Sequence, residues 1–226
     1  MCGRYILTAT PEELAALFGY IDGEWFPPRH NIAPTQPIAI GRQVEGARRF
    51  ALVRWGLVPG WVEDPRKFSL LINARAEGVA TKPSFKSAYK YRRCLIPASG
   101  FYEWRRATGG AKQPYLMRRP DHAPFAFAGL WESWMGKDGS EIDSACIITT
   151  DANRLLAPIH DRMPVILDPQ DYAAWLDARD NPPGAVEPLL RPAADDLLEA
   201  IPVSTRVNKA ENDDPGLLEP LEQTLL

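Results

Sequence analysis

Five apolar runs between residues 50 and 150 decide most of what this chain can fold into. They are "FALVRWGLV", "CLIPASGFYEW", "PYLMRR", "FAFAGLWESW" and "SACIITT", rich in the aromatic and β-branched residues that suit strands. "TGG" separates the second run from the third and "KDG" the fourth from the fifth, both tight-turn signals. The strand–helix alternation of a parallel sheet is absent. A strand is also expected at "IAIG", after the proline-rich loop "FPPRHNIAPTQP".

Helical patterns lie mainly toward the two ends. "TPEELAALFG" carries Thr10 as cap, Pro11 in the first turn, Glu13 to complete a capping box and Gly19 as the stop. "DPQDYAAWLDA", with Asp168 and Pro169 at its start, and "PAADDLLEA" read as helices. "ANRLLAPIHDRMPVIL" reads as a short helix turning into a strand. The expectation is an α+β fold: one domain over residues 1–226, with a mainly antiparallel, barrel-like core and peripheral helices. Residues 209–226, acidic and turn-rich, are expected to form a C-terminal strap.

Composition narrows the function classes. The 22 prolines in 226 residues exceed the usual ~5% and point to short elements joined by rigid loops. A net charge of −3 excludes only a globally basic nucleic-acid binder, since a local basic surface is enough for binding. Apolar stretches fall short of the ~20 residues a membrane span needs, and no secretory pattern opens the sequence. Cys2, Cys94 and Cys146 are odd in number with no close pair, which argues against a disulfide framework and a zinc site and for cytoplasmic thiols. Cys94 and Cys146 sit in apolar runs and read as buried strand residues. No Gly-rich phosphate loop, H-E-x-x-H metal site or G-x-S-x-G elbow is present, so neither cofactor nor metal is expected.

"MCGRY" carries the chemistry. Cells trim Met1 when residue 2 is small, which would leave Cys2 with a free α-amine and a thiol on adjacent carbons. Their unperturbed pKa values are roughly 7.7–8.0 and about 8.5. With an aldehyde such a pair closes a five-membered thiazolidine; with an amide the thiol can act as an acyl-transfer nucleophile. The ordinary alternative is an incidental residue on a frayed end. Glu103 in "GFYEW" is a candidate proton-transfer group if its aromatic neighbours desolvate it, and otherwise an outward-facing strand residue. His160 in "IHDRMP" titrates near neutrality, although a lone histidine is more often structural. Asn73 and Arg75 share a face of "INARAE" if it is extended, as do Cys2 and Arg4 at the start. Trp55 and Trp61 of "WGLVPGW", with Pro34 of "NIAPT", read as packing residues unless exposed near Cys2, where they could stack on bases.

"MCGR", "NIAPT", "WGLVPGW", "INARAE", "RRCLIPASGFYEW", "FAGLWE", "IITT" and "IHDRMP", in this order from residue 2 to about Asn208, resemble the SOS response-associated peptidase family. The resemblance implies a β-barrel-like domain that crosslinks through Cys2, once Met1 is lost, to the ring-opened aldehyde of an abasic site in single-stranded DNA. It implies active-site roles for Cys2, Asn73, Glu103 and His160. DNA contacts are implied at Arg4, Asn31, Pro34, Trp61, Arg75, Trp104, Thr149 and Arg162. It further implies a monomer acting on the nucleoid, with no membrane partner. Gly78 departs from the family, whose members usually carry Thr or Ser there. Two rivals stand beside this reading. One is a cysteine peptidase using Cys2 and His160, which releases its own Met1 and cleaves other peptides. The other is a non-catalytic single-strand binding module.

Overall fold

The structure is a computed structural model and describes residues 2–19, 26–106 and 112–221. Its strands are β1 (Tyr5–Leu7), β2 (Arg29–Ile32), β3 (Pro37–Val44), β4 (Ala47–Trp55), β5 (Asn73–Arg75), β6 (Arg93–Ala98) and β7 (Gly100–Arg106). They continue with β8 (Lys112–Arg118), β9 (Phe125–Met135), β10 (Glu141–Asp151), β11 (Arg162–Pro164), β12 (Ile166–Leu167) and β13 (Glu199–Pro202). The helices are α1 (Pro11–Phe18), α2 (Ala76–Val79), α3 (Lys86–Tyr91), α4 (Tyr172–Leu176) and α5 (Pro183–Val186).

Five strands close on themselves in the order β10-β4-β3-β6-β9 and back to β10. Four of these pairings are antiparallel; β4 and β10 run parallel. Closure removes the barrel's free edges, and β5 and β11 extend it by pairing with β10. A second sheet, in the order β13-β8-β7-β1-β2, carries the N-terminal residues. The run "CLIPASGFYEW" is therefore two strands in two sheets, β6 and β7, divided at Ser99. Gly100 permits the crossing: a Cβ there would lie 2.7 Å from the Met117 carbonyl.

The fold is the single α+β domain with a barrel core that the sequence predicts. α1 carries the full predicted capping box, and Gly19 ends it at φ 64°. The "KDG" segment turns β9 into β10 with Gly139 at φ 82°, while "TGG" lies outside the described residues. Cys94 and Cys146 are buried on barrel strands.

Two helix expectations fail. "PAADDLLEA" forms no helix: its end becomes β13, which takes up the edge of β8. Its start is held by Asn153, whose side chain donates to the Ala193 and Ala194 carbonyls, and by Asp195, which accepts from the Arg154 amide. A short helix is marginal alone, and an open strand edge offers every backbone group a partner. Residues 154–159 make turns with two i→i−4 bonds, from Ala157 to Asn153 and from His160 to Leu156. Pro158, which has no N–H, stops them from growing into a helix.

Residues 209–221 of the expected strap pack on the second sheet and its loops, and residues 222–226 lie outside the described residues. Asp213 accepts from the His30 and Asn31 amides and pairs with Arg29. Leu217 is buried against Ile6, Tyr102 and Leu116. Among the described residues no helix is long and apolar enough to cross a membrane.

Arg93 clamps the barrel to the periphery. It is 2% exposed, and its guanidinium donates to the carbonyls of Trp175 (2.6 Å), Asn181 (2.7 Å), Tyr89 (3.1 Å) and Asp177 (3.1 Å). Arg93→Met keeps much of the volume and leaves those four acceptors short of a donor. The expected cost is about 3 kcal/mol. A thermal melt should show the midpoint fall by on the order of 10 °C. A midpoint within 2–3 °C of wild type, roughly what 1 kcal/mol gives in a chain this size, would show the clamp to be dispensable.

Candidate active site

The Tyr102 amide donates to the Arg4 carbonyl, which carries the β1–β7 pairing back toward residue 2. Tyr5 stands opposite Phe101, so two further steps of the same register set Gly3 against Glu103. Cys2 is fully buried in the main core, its thiol 3.9 Å from the Arg4 carbonyl to which it donates. Its own carbonyl accepts from Asn73 Nδ2 at 2.9 Å. Asn73 is delivered by β5, in parallel register with Ile147 of β10. Its Oδ1 is buried and has no hydrogen-bond partner among the described residues, leaving an acceptor beside Cys2. A position two from the start is thus pinned by backbone, side chain and core together.

Glu103 is 2% exposed. Burial pushes its carboxyl up to about 7, against the Trp104 amide, which bonds it and favours the charged form. The negative charge of Asp161 adds to the upward push, so the His160–Arg162 turn acts on the same carboxyl. Burial, and then the charge of Glu103, hold the Cys2 thiol well above the ordinary thiol range. His160 Nδ1 accepts from the Arg162 amide at 3.0 Å and lies 3.1 Å from an Asp161 carboxylate oxygen. Nδ1 also lies 3.3 Å from the Arg162 carbonyl; a neutral ring that accepts the amide bond carries its proton on Nε2, and protonation would let Nδ1 pair with Asp161.

The remaining predicted residues divide by their surroundings. Arg4 donates to Asn31 Oδ1 (2.9 Å) and to the Val207 (2.7 Å) and Asn208 (3.1 Å) carbonyls. Asn31 is fully buried, and its amide nitrogen binds the carbonyls of Val207, Lys209 and Asn212. Its side chain fastens the C-terminal strap. Trp104 Nε1 donates to Asn208 Oδ1 at 2.7 Å, and the two line a cleft of about 360 Å³ with Gly3, Arg4 and Lys112.

Arg162, 8% exposed, spends its guanidinium inside the protein. It meets Glu77 through both Nη atoms (2.7 and 3.0 Å), Asp151 (2.6 Å) and the Thr149 carbonyl (2.8 Å). Arg75 is exposed at the end of β5. Thr149 is buried, and its hydroxyl has no partner among the described residues. Pro34 is half-buried before Thr35, which sits at φ 73°. Trp61 is 59% exposed, stands edge-on to Phe68 and lines neither the Arg4 cleft nor the groove at Arg75. Trp55 is fully buried, as its packing reading has it.

Sequence reasoning missed Glu77 and Asp151, which hold Arg162, and Asn208, which holds Arg4 and Trp104. Glu77 was within reach, because it closes the "INARAE" motif two places after Arg75. Among the described residues no group of three His, Cys, Asp or Glu side chains is placed to hold a metal ion.

The fold and site are those of a closed barrel that buries a cysteine close to a glutamate whose carboxyl is pushed up by burial, with clefts at Arg4 and at Arg75 nearby. The chain belongs to the SOS response associated peptidase (SRAP) family, whose model matches residues 1–210. It is 38% identical over 223 residues to the abasic site processing protein YoqW of Bacillus subtilis strain 168, covering 97% of this chain and 99% of that one. It is 32% identical to the abasic site processing protein HMCES of Gallus gallus, covering 98% of this chain and 78% of that one. A crystal structure of a protein from Bacteroides thetaiotaomicron superposes with a TM-score of 0.86 at 28% identity, covering 97% of this chain and 99% of that one.

Proposed function

We propose that this protein processes abasic sites in single-stranded DNA by forming a thiazolidine crosslink through the α-amine and thiol of Cys2, after Met1 is removed. The observation that carries the reading is the burial of residue 2 between the Asn73 amide and the high-pKa carboxyl of Glu103. Relatives 38% and 32% identical are named for abasic-site processing, which fits.

The sugar opens as the bond from C1′ to the ring oxygen breaks; that oxygen takes a proton and the C1′ hydroxyl gives one up, leaving an aldehyde. The Cys2 amine adds to the aldehyde carbon, and one water leaves as the imine forms. The thiol then adds to the same carbon, its proton passing to nitrogen. Glu103 is the group that gives the proton to departing water and takes it from sulfur. His160, with Nε2 as donor in its neutral form, serves the sugar oxygen. Asn73 Oδ1 accepts from the amine and aims its lone pair.

The order follows from the chemistry: the amine attacks first, and the sulfur needs to lose its proton only at closure. A peptidase would need the thiolate at the outset. Incubation with an abasic single strand, followed by intact mass measurement, tests the reading. The expected mass is the protein without Met1 plus the oligonucleotide less one water. No adduct, or equal adduct with an undamaged strand, would overturn it.

A further inference from the structure

Beside the candidate site lies a groove of about 480 Å³ lined by Arg75, Glu77, Gly78, Lys82, Asp151 and Arg162. Three cations face two carboxylates there, but the charges are not shared evenly. Glu77 and Asp151 both close on Arg162, which also takes the Thr149 carbonyl and is neutralised within the fold. Among the described residues neither Arg75 nor Lys82 has a carboxylate within ion-pair distance. The groove therefore presents two cations outside any ion pair, with Arg75 still close enough for its charge to act on the Glu77 carboxyl.

Lys82 is held in place by the chain on both sides. Its amide donates to the Gly78 carbonyl at 2.9 Å, and its own carbonyl accepts from Phe85 (3.0 Å) and Lys86 (2.9 Å). Phe85 is buried and anchors that turn. The Lys82 stem lies across Gly78: a Cβ on residue 78 would come within 3.0 Å of Cε and 3.3 Å of Cδ. Stem on protein and ammonium toward solvent is how a lysine presents its charge at low entropic cost. The groove follows the last residues of β10, where Thr149 pairs Arg75 and Asp151 pairs Arg162, two and four places beyond Ile147, the partner of Asn73.

Resting on the single-strand reading above, we propose that Lys82 is a backbone-phosphate contact of this protein, working with Arg75 to lead the DNA strand away from Cys2. Arg162 is the internal strut that holds Glu77 and Asp151 in ion pairs of its own. Such a contact is sequence-blind and salt-sensitive.

The test measures affinity for an undamaged fluorescent single strand across a salt series, so that no crosslink interferes. One phosphate contact contributes about 0.7 to the slope of log affinity against log salt on single strands. Lys82→Met should flatten the slope by about that amount and weaken binding several-fold at low salt. Lys82→Arg should restore both, and Lys137→Met, an exposed lysine on the β9–β10 turn, should change neither. An unchanged slope in Lys82→Met, or an equal loss in Lys137→Met, overturns the assignment while wild-type binding and crosslinking leave the function standing. Failure of wild type to bind or crosslink would remove the function itself, and this contact with it.

Discussion

Cys2→Ser protein mixed with an abasic single strand is expected to yield no adduct that survives a denaturing gel. The serine amine still condenses with the aldehyde, but an imine alone hydrolyses, and a hydroxyl closes the ring far less effectively than a thiol. Borohydride, which reduces imines, should therefore trap in Cys2→Ser what wild type retains without it. Size and burial at residue 2 are nearly kept, and the Arg4 carbonyl can accept from a hydroxyl as it does from the thiol. Non-covalent affinity for an intact strand should accordingly stay within about twofold, a few tenths of a kcal/mol. A second variant attacks the other nucleophile. Placing extra residues ahead of Cys2 turns its amine into an amide nitrogen, which cannot form an imine, and stable adduct should again vanish. Wild-type amounts of stable adduct from either protein would sink the thiazolidine mechanism; loss in the first but not the second would leave simple thiol chemistry in its place.

Local chemistry made part of this architecture legible. The α1 boundaries follow from Thr10, Glu13 and Gly19, which form their cap within a few residues of one another. The barrel strands were readable because each carries a long apolar or alternating run. What escaped were elements defined by their partners. β13 exists because β8 has an edge to fill, and β5 is three residues made a strand by β10. The parallel β4–β10 pairing joins segments nearly a hundred residues apart, which no local pattern announces. At the site, Cys2, Asn73 and Glu103 were legible as reactive types, and their burial together depends on registers in two sheets. Arg162 shows the limit. Its ion pairs run to Glu77 and Asp151, residues brought to it by β10, β11 and the segment after β5, a placement that its own stretch of sequence does not announce. Asn31 is similar: a polar side chain in a motif, whose amide fastens a strap nearly 180 residues further along the chain.

Glu103→Gln carries the second large effect, and it has two readouts of opposite sign. The carboxyl lies near pH 7 in the folded protein because burial disfavours its charge, against about 4.3 in an unfolded chain. A raised carboxyl contributes stability that is full below the unfolded value and is lost as pH rises through about 7. Glutamine carries no charge to bury, so at pH 8 the variant should be more stable than wild type, on the order of 3 kcal/mol by linkage, with the gap closing toward pH 4. The chemistry should move the other way. Proton transfer by a placed group is typically worth 10²–10⁴-fold, and Glu103→Gln should slow single-turnover crosslinking by at least tenfold while leaving affinity for an intact strand unchanged. Wild type needs a protonated Glu103 and an unprotonated amine, whose ordinary pKa is roughly 7.7–8.0, so its rate should peak between about pH 7 and 8. The variant should lose the alkaline fall, because only the amine still titrates. His160→Ala should add little to Glu103→Gln if both serve one proton path, since groups that act as a unit are not additive. A variant that is stabilised at pH 8 yet crosslinks at the wild-type rate would mark Glu103 as a buried strand residue, and the proton would have to come from elsewhere.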